Sequence, residues 1–461
     1  MKDGMTRRKF LWTSLLSGGA VAGAGAAFPS LFRQGWAGGQ GPDAPERYYI
    51  FAYFSGGWDV LLSLEPRDPT QFHAGNVSQT LILPGYDQLD DDANDGSLVV
   101  APNGMVFGPY IGDLAQHADK LAVVRGMSME TLTHEAGMRR FITGKPPSGL
   151  LARGSSAATW LAGTLGEQQL IPNLSVNVES YNVDQPNYAS ALKVGSVPDL
   201  VRALSASPSQ LGALEARQVG DLLDKAATCP QPERSIFWQQ AEAARKKSRD
   251  MVQSGLDGLF AFQDNTEAMA ELRDHYGIPT TGAGATTGPE VEAAMAVTAL
   301  TSGVSRVASV RLATGLDTHY DEWTRDQGPT QARGFAAVAR MVEDLQGREY
   351  GSTGSSWLDH TIIIGFSEFS RTAMLNASTG RDHSLTNAAF LMGGPIQGGQ
   401  FIGRSSDVGM APTTTNLATG MHDPGGEVVR PEHIIRALLS DAGVSEDVAD
   451  LRVDPLLALL A

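Results

Sequence analysis

Five short stretches of this 461-residue sequence hold most of the side chains able to act together on a substrate. SGGWD ends in Asp59, and TLTHEAGMRRF contains Thr133, His134, Arg139 and Arg140. GLDTHYDEW brings Asp317 and His319, SEFSRT brings Glu368 and Arg371, and GRDHS brings Asp382 and His383. Carboxylates and imidazoles without cysteine suit a hard or borderline divalent metal ion, with zinc, calcium and magnesium all open. Neighbouring arginines offer paired N–H donors that match the oxygens of a tetrahedral anion. An ion and a guanidinium around a hydroxyl nucleophile are the parts needed to hydrolyse a phosphoryl or sulfuryl ester. There the ion lowers the pKa of the attacking group and screens charge as it builds.

Taken singly, these residues have plainer roles. Asp59 suits a helix cap, His134 a surface loop, and Arg371 an ion pair with Glu368 of small net worth. Their placement against the predicted elements is what joins them. Six apolar runs rich in β-branched and aromatic residues predict buried strands. They are Tyr48–Phe54, Leu121–Val124, Leu174–Val178, Val307–Leu312, Thr361–Phe366 and Ala388–Met392. Helical periodicity lies between them, as in Phe335, Val338, Met341, Val342 and Leu345, or Ile434, Ala437, Leu438 and Ala442. Strands alternating with helices predict an α/β fold, a mainly parallel sheet sandwiched by helices, over residues 45–461. Ligands of such sheets gather beyond the carboxyl ends of the strands. Four clusters follow predicted strands and the fifth shortly precedes one. The stretch 197–276 is polar and nearly all helix-forming, which predicts a helical insertion carried on the sheet domain. The segment 279–288 (PTTGAGATTG) suits a return loop.

The N-terminus has its own pattern. Arg7 and Arg8 are adjacent, Phe10 and Leu11 follow, and a Gly- and Ala-rich, weakly apolar stretch runs to about Phe32. A basic start, an apolar middle and small residues near a cut after Ala24, Ala26 or Ala37 predict a twin-arginine signal peptide over 1–37. The expected partner is the twin-arginine export machinery, and the expected location is the periplasm or the cell exterior. Gly and Ala gain little from lipid, so no integral membrane span is expected in the mature chain. Lys2, Arg7, Arg8, Lys9 and Arg33 against Asp3 give the signal a net charge of +4. Its loss would take the chain from −16 to −20. That acidity disfavours nucleic acid, whose binding requires a basic surface. One cysteine, Cys229, excludes an internal disulfide framework and a multi-cysteine zinc site.

The order of GGWD, THEAGMRRFITGKPP, LDTH, SEFSRT and GRDH, from about Tyr48 to Leu439, resembles a known family. It is a large family of twin-arginine-exported bacterial proteins of unknown function, placed in the alkaline phosphatase and arylsulfatase superfamily. The resemblance implies an alkaline phosphatase-like fold with metal ligands at Asp59, Asp317, His319, Glu368, Asp382 and His383. Phe141-Ile142-Thr143-Gly144-Lys145 looks like the end of the sulfatase nucleophile motif, and ten residues before Gly144 stands His134, with Thr133 beside it. This departs from the usual Cys or Ser. It leaves Thr133 as the nucleophile, or His134 as a base or ligand, and Arg139, Arg140 or Arg371 to bind the anion. Glu368 is followed by Phe369 where the superfamily commonly has His or Asn, so a reduced or single-metal site is expected. The function implied is an exported metal-dependent hydrolase of phosphate or sulfate esters, acting on an anionic small molecule or glycan. The alternative is a non-catalytic periplasmic or cell-surface binding protein on the same fold. An oxidoreductase role ranks below both, because no dinucleotide glycine fingerprint follows a predicted strand.

Overall fold

A computed structural model describes residues 46–90, 96–149, 151–205, 212–227, 236–444 and 450–460. The proposed signal over 1–37 and Cys229 lie outside the described residues. Eight strands form the central sheet: β1 (Tyr48–Phe54), β2 (Leu121–Ser128), β3 (Asn173–Val176), β4 (Leu192–Val194), β5 (Val307–Ala313), β6 (Thr361–Phe366), β7 (Thr386–Met392) and β8 (Gln400–Ile402). Their order is β8-β2-β7-β6-β1-β5-β3-β4. Every pairing is parallel except those of β7, which runs antiparallel to both β6 and β2.

All six expected strands are present. β4 and β8 were not foreseen, because an edge strand of three residues is too short to show a period. The mainly parallel sheet is as expected, and its one reversed strand has a consequence. Because β7 enters from the edge where β1, β2, β5 and β6 leave, residues just before β7 meet residues just after the other four.

Nine α-helices of eight or more residues are described: α1 (His134–Thr143), α2 (Ala157–Leu165), α3 (Val197–Leu204), α4 (Ala213–Ala227), α5 (Ile236–Gln253), α6 (Glu267–Tyr276), α7 (Pro289–Thr301), α8 (Gly328–Gly347) and α9 (Pro431–Asp441). Successive residues of a strand face opposite sides, and β1 shows what that does here. Tyr49, Phe51 and Tyr53 join one apolar cluster with α1, α2 and α9, whereas Tyr48, Ile50, Ala52 and Phe54 join another with α7 and α8. Both faces are therefore covered, which is why the strands are apolar throughout rather than alternating. Helices α3 to α6 occupy the stretch 197–276, in line with its helical composition. Among the described residues, no helix is long and apolar enough to cross a membrane.

One buried carboxylate braces α7 against the sheet. Glu292 accepts from Asn177 Nδ2, just past β3, and from the backbone N–H of Arg311 in β5, each at 2.8 Å. Burial pushes its pKa up to about 7, against the lowering effect of those hydrogen bonds. A carboxyl whose folded pKa lies above its unfolded value of 4.5 makes the folded state bind more protons between the two. Stability from this group is then full below pH 4.5 and is lost as pH rises through about 7. We expect Glu292→Gln to flatten the decline in urea midpoint between pH 5 and pH 8, and an unchanged decline would refute this assignment.

Candidate metal centre

One buried cation ties the loops at the carboxyl edge together. Arg371 follows β6, and its side chain is fully buried. Its Nε donates to the Gly57 carbonyl at 3.0 Å, and its Nη1 to the Arg381 carbonyl at 3.2 Å. Nη1 also approaches His319 Nε2 at 3.4 Å. Nη2 donates to the Gly56 carbonyl and, at 2.7 Å, to Asp317 Oδ1. These contacts match the five N–H donors of a guanidinium, so Arg371 has no donor left for a substrate oxygen. The glycines of SGGWD permit the arrangement. Gly56 and Gly57 have φ of +113° and +82°, which turn strained for any side chain. A Cβ on Gly56 would lie 2.7 Å from the backbone of Leu316 and Asp317, and one on Gly57 would lie 2.5 Å from the Phe369 ring.

Three imidazoles gather on Asp317. His319 Nε2 and His383 Nε2 lie 3.0 and 3.1 Å from its Oδ1, and 3.0 Å from each other. His134, the first residue of α1, places Nε2 at 3.3 Å from Oδ2. Each ring is held from behind through Nδ1. His134 meets Glu368 Oε1 at 2.8 Å, His319 meets Asp382 Oδ1 at 3.0 Å, and His383 meets the Leu132 carbonyl at 2.7 Å. Glu368 is itself buried, with Oε1 also accepting from Gly56 N at 2.8 Å and Oε2 from Ser367 Oγ at 3.0 Å. Among the described residues, His134, Asp317 and His383 have ligand atoms close enough to share one ion. An open hollow of about 380 Å³ lies against His134 and Asp317, lined also by Tyr53, Ser55, Glu135, Met138 and Glu368.

The electrostatics follow from these contacts. Burial alone would raise the Asp317 carboxyl, but the donors of Arg371 and His383 outweigh it and hold it well below the usual carboxylate range. The Glu368 hydrogen bond raises the His134 pKa against partial burial. Burial lowers that of His383, in spite of the Leu132 carbonyl and Asp317. Asp382 is lowered, chiefly by its hydrogen bond with His319.

The structure thus brings His134, Asp317, His319, Glu368, Arg371, Asp382 and His383 together, but it separates four other expected residues from them. Asp59, expected as a metal ligand, is fully buried with both oxygens engaged. Oδ1 accepts from Leu61 N at 3.0 Å, while Oδ2 meets Trp323 Nε1 at 2.8 Å and Arg381 Nε at 2.9 Å. It caps a short 3₁₀ turn (Val60–Leu62) and pairs with a buried arginine instead. Arg139 is bound to Glu179 and Tyr181, and Arg140 to Glu130 and Glu432, so neither is available to bind an anion at the cluster. A helix turns ~100° per residue, which rotates positions five and six residues beyond His134 by roughly 140° and 120° from it. Met138, four residues on, shares its side and lines the hollow. Thr133, expected as a nucleophile, is exposed at the N-cap of α1 and lines a neighbouring hollow with Glu130, Arg140 and Pro146.

Glu368 and Asp382 sit behind imidazole rings. The residues that the sequence did not point to are Tyr53, Trp323 and Arg381. Arg381 was visible in GRDHS, but nothing local told of a partner 322 residues away.

A mostly parallel, helix-covered sheet with a His–Asp cluster at its carboxyl edge defines an α/β protein with a candidate metal centre. Residues 99–423 match DUF1501, described as a protein of unknown function, and the chain belongs to that family. No curated protein matches it. Three solved structures are similar to it at low identity. One is a Vibrio parahaemolyticus protein in the alkaline phosphatase superfamily, 12% identical, covering 90% of this chain and 70% of its own, with TM-score 0.36. Another is the lipoteichoic acid synthase LtaP from Listeria monocytogenes, 7% identical, covering 90% and 77%, with TM-score 0.36. The third is a Bacteroides thetaiotaomicron protein connected with metabolism of multiple glycosaminoglycans, 9% identical, covering 89% and 75%, with TM-score 0.36.

Removing one member of a buried ion pair leaves an uncompensated charge, at a cost of roughly 3–5 kcal/mol. Asp59→Asn should therefore destabilise the protein by about that much in urea unfolding, with the metal content of the folded fraction unchanged. Loss of metal at full stability would return Asp59 to the ligand set.

Proposed function

We propose that this protein is an exported hydrolase of phosphate or sulfate esters that works with a divalent ion at His134, Asp317 and His383. The observation that carries the proposal is the approach of His134 and His383 to the Asp317 carboxylate, 3.3 and 3.1 Å away, with ligand atoms close enough to share one ion and with His134 and Asp317 lining an open hollow. Two imidazoles and an ionised carboxylate so close together fit a bound cation better than they fit one another. The order of the sequence motifs supports the superfamily, and Arg7-Arg8 before a weakly apolar segment supports export.

When bound, a divalent ion there would polarise the ester oxygens and lower the pKa of a hydroxyl group. The chain's own residues supply the rest. Arg371 keeps Asp317 ionised and fixed, Glu368 and the Leu132 carbonyl set the rings of His134 and His383, and α1 directs its positive end at the hollow through His134 and Glu135. That end favours negative charge on the substrate, a role the three arginines are not placed to fill. Water from the hollow adds across the ester, giving the free acid and an alcohol. The substrate expected is an anionic small molecule or glycan.

Elemental mass spectrometry on the mature protein, followed by a screen of phosphate and sulfate esters with metal-loaded and metal-stripped samples, tests the proposal. Hydrolysis should disappear on stripping and return on reloading. Loaded protein that turns over no ester would favour the glycan-binding alternative. Among variants, His383→Ala should lose both metal and activity, and Glu368→Gln should weaken metal binding by roughly 10–100-fold. Thr133→Ala should retain most of the activity, and its loss would restore Thr133 as the nucleophile.

A further inference from the structure

We infer that the Tyr53 hydroxyl is the donor that holds the substrate's tetrahedral anion in the hollow, bonding an oxygen of the phosphoryl or sulfuryl group. The inference rests on the reading of this hollow as an ester site and names a group that binds there, but it does not rest on hydrolysis.

The donors that remain at the site are few. Arg371 has every N–H engaged, Arg139 and Arg140 are bound elsewhere, and among the described residues no lysine or arginine lines the hollow. Three carboxylates do line it: Glu135, Asp317 and Glu368. Arg371 balances Asp317 and His134 lies against Glu368, while Glu135 is exposed to solvent, which screens its charge. What the walls offer an anion directly is therefore hydroxyl and amide donors. These are Tyr53, Ser55 and the first amides of α1, which have no helical carbonyl to bond and no side-chain cap from Thr133.

Position selects Tyr53 among them. Its side chain leaves β1 on the face covered by α1, and its ring stacks on Phe366 with centroids 5.1 Å apart. Phe366 stacks in turn on Phe141 of α1 at 4.3 Å, so the phenol is held in a column of three rings. Tyr53 is only 6% exposed. Its hydroxyl is the part that reaches Ser55 and Glu368, and both of those residues also line the hollow, so the tip at the wall is the O–H. Glu368 is a crowded acceptor for that proton. Its Oε1 already meets His134 Nδ1 and Gly56 N, and its Oε2 accepts from Ser367 Oγ. An oxygen of a bound anion is open to it instead. Burial pushes the phenol's pKa well above its ordinary value, with the Glu368 charge acting in the same direction, so the hydroxyl keeps its proton. A neutral O–H fixed in this way needs no reorganisation when charge builds on an oxygen in front of it.

The test reads the hydroxyl itself. The metal-loaded protein, with tyrosine isotope-labelled at Cζ, is titrated with inorganic phosphate and with sulfate while NMR follows the Tyr53 resonance, identified by its absence from Tyr53→Phe. That resonance should shift on saturation with the anion. Tyr53→Phe, which keeps the ring and loses only the oxygen, should bind the anion roughly 10–100-fold more weakly with metal content unchanged. A stationary resonance with both anions, equal anion affinity in the variant, or loss of metal or of folding in it would each overturn the inference, the last because the hydroxyl would then be structural. Activity separates this inference from the hydrolase reading. Anion binding that moves Tyr53 in a protein cleaving no ester supports the inference and refutes hydrolysis. Ester cleavage with the same kcat/KM in Tyr53→Phe refutes the inference and leaves hydrolysis standing.

Discussion

A buried guanidinium is costly unless every donor finds an acceptor, and Arg371 meets that condition only through partners drawn from three separate segments. The loop after β1 supplies two glycine carbonyls, the loop after β5 supplies Asp317 and His319, and the loop before β7 supplies the Arg381 carbonyl. Displacing any one segment would strand a donor in the interior. The position of Asp317 is thereby fixed, and with it the point on which the imidazoles gather. Arg381 adds a second buried cation beneath the first. It holds Asp59 and donates to the carbonyls of Leu83, Pro84 and Thr372. The residue expected as a metal ligand is thus part of the foundation under the centre.

The two sheet faces contribute differently. The face covered by α7 and α8 is the larger apolar cluster. The face covered by α1, α2 and α9 positions His134, because Met138, Phe141 and Ile142 seat α1 against the sheet. Gly137 allows α1 to come close to the loop after β6. A Cβ there would lie 2.3 Å from the Glu368 carbonyl oxygen. That proximity lets a helix begin on a ring hydrogen-bonded to Glu368.

Much of this was legible in the sequence wherever the governing interaction is local. Tyr48–Phe54 and Thr361–Phe366 were bounded correctly because strands buried on both faces are apolar from end to end. The rule that ligands gather beyond strand ends found six of the residues that now meet around Asp317. It failed for Asp59, because a buried ion pair with Arg381 is a long-range fact with no local trace. It failed for Arg139 and Arg140 for a different reason. They were counted as neighbours of His134 along the chain, although the helical period turns both away from it.

The hydrogen bonds that close the centre join residues very far apart in sequence. Arg371 to Gly56 spans 315 positions, and His134 to Glu368 spans 234. Loops of that length are closed late in folding, since the chain entropy must be given up before the contacts form. The last ring in the sequence, His383, follows six of the eight strands of the central sheet. The whole cluster of imidazoles around Asp317 exists only in a nearly finished fold, so any ligand that needs all of it reports on the completion of folding.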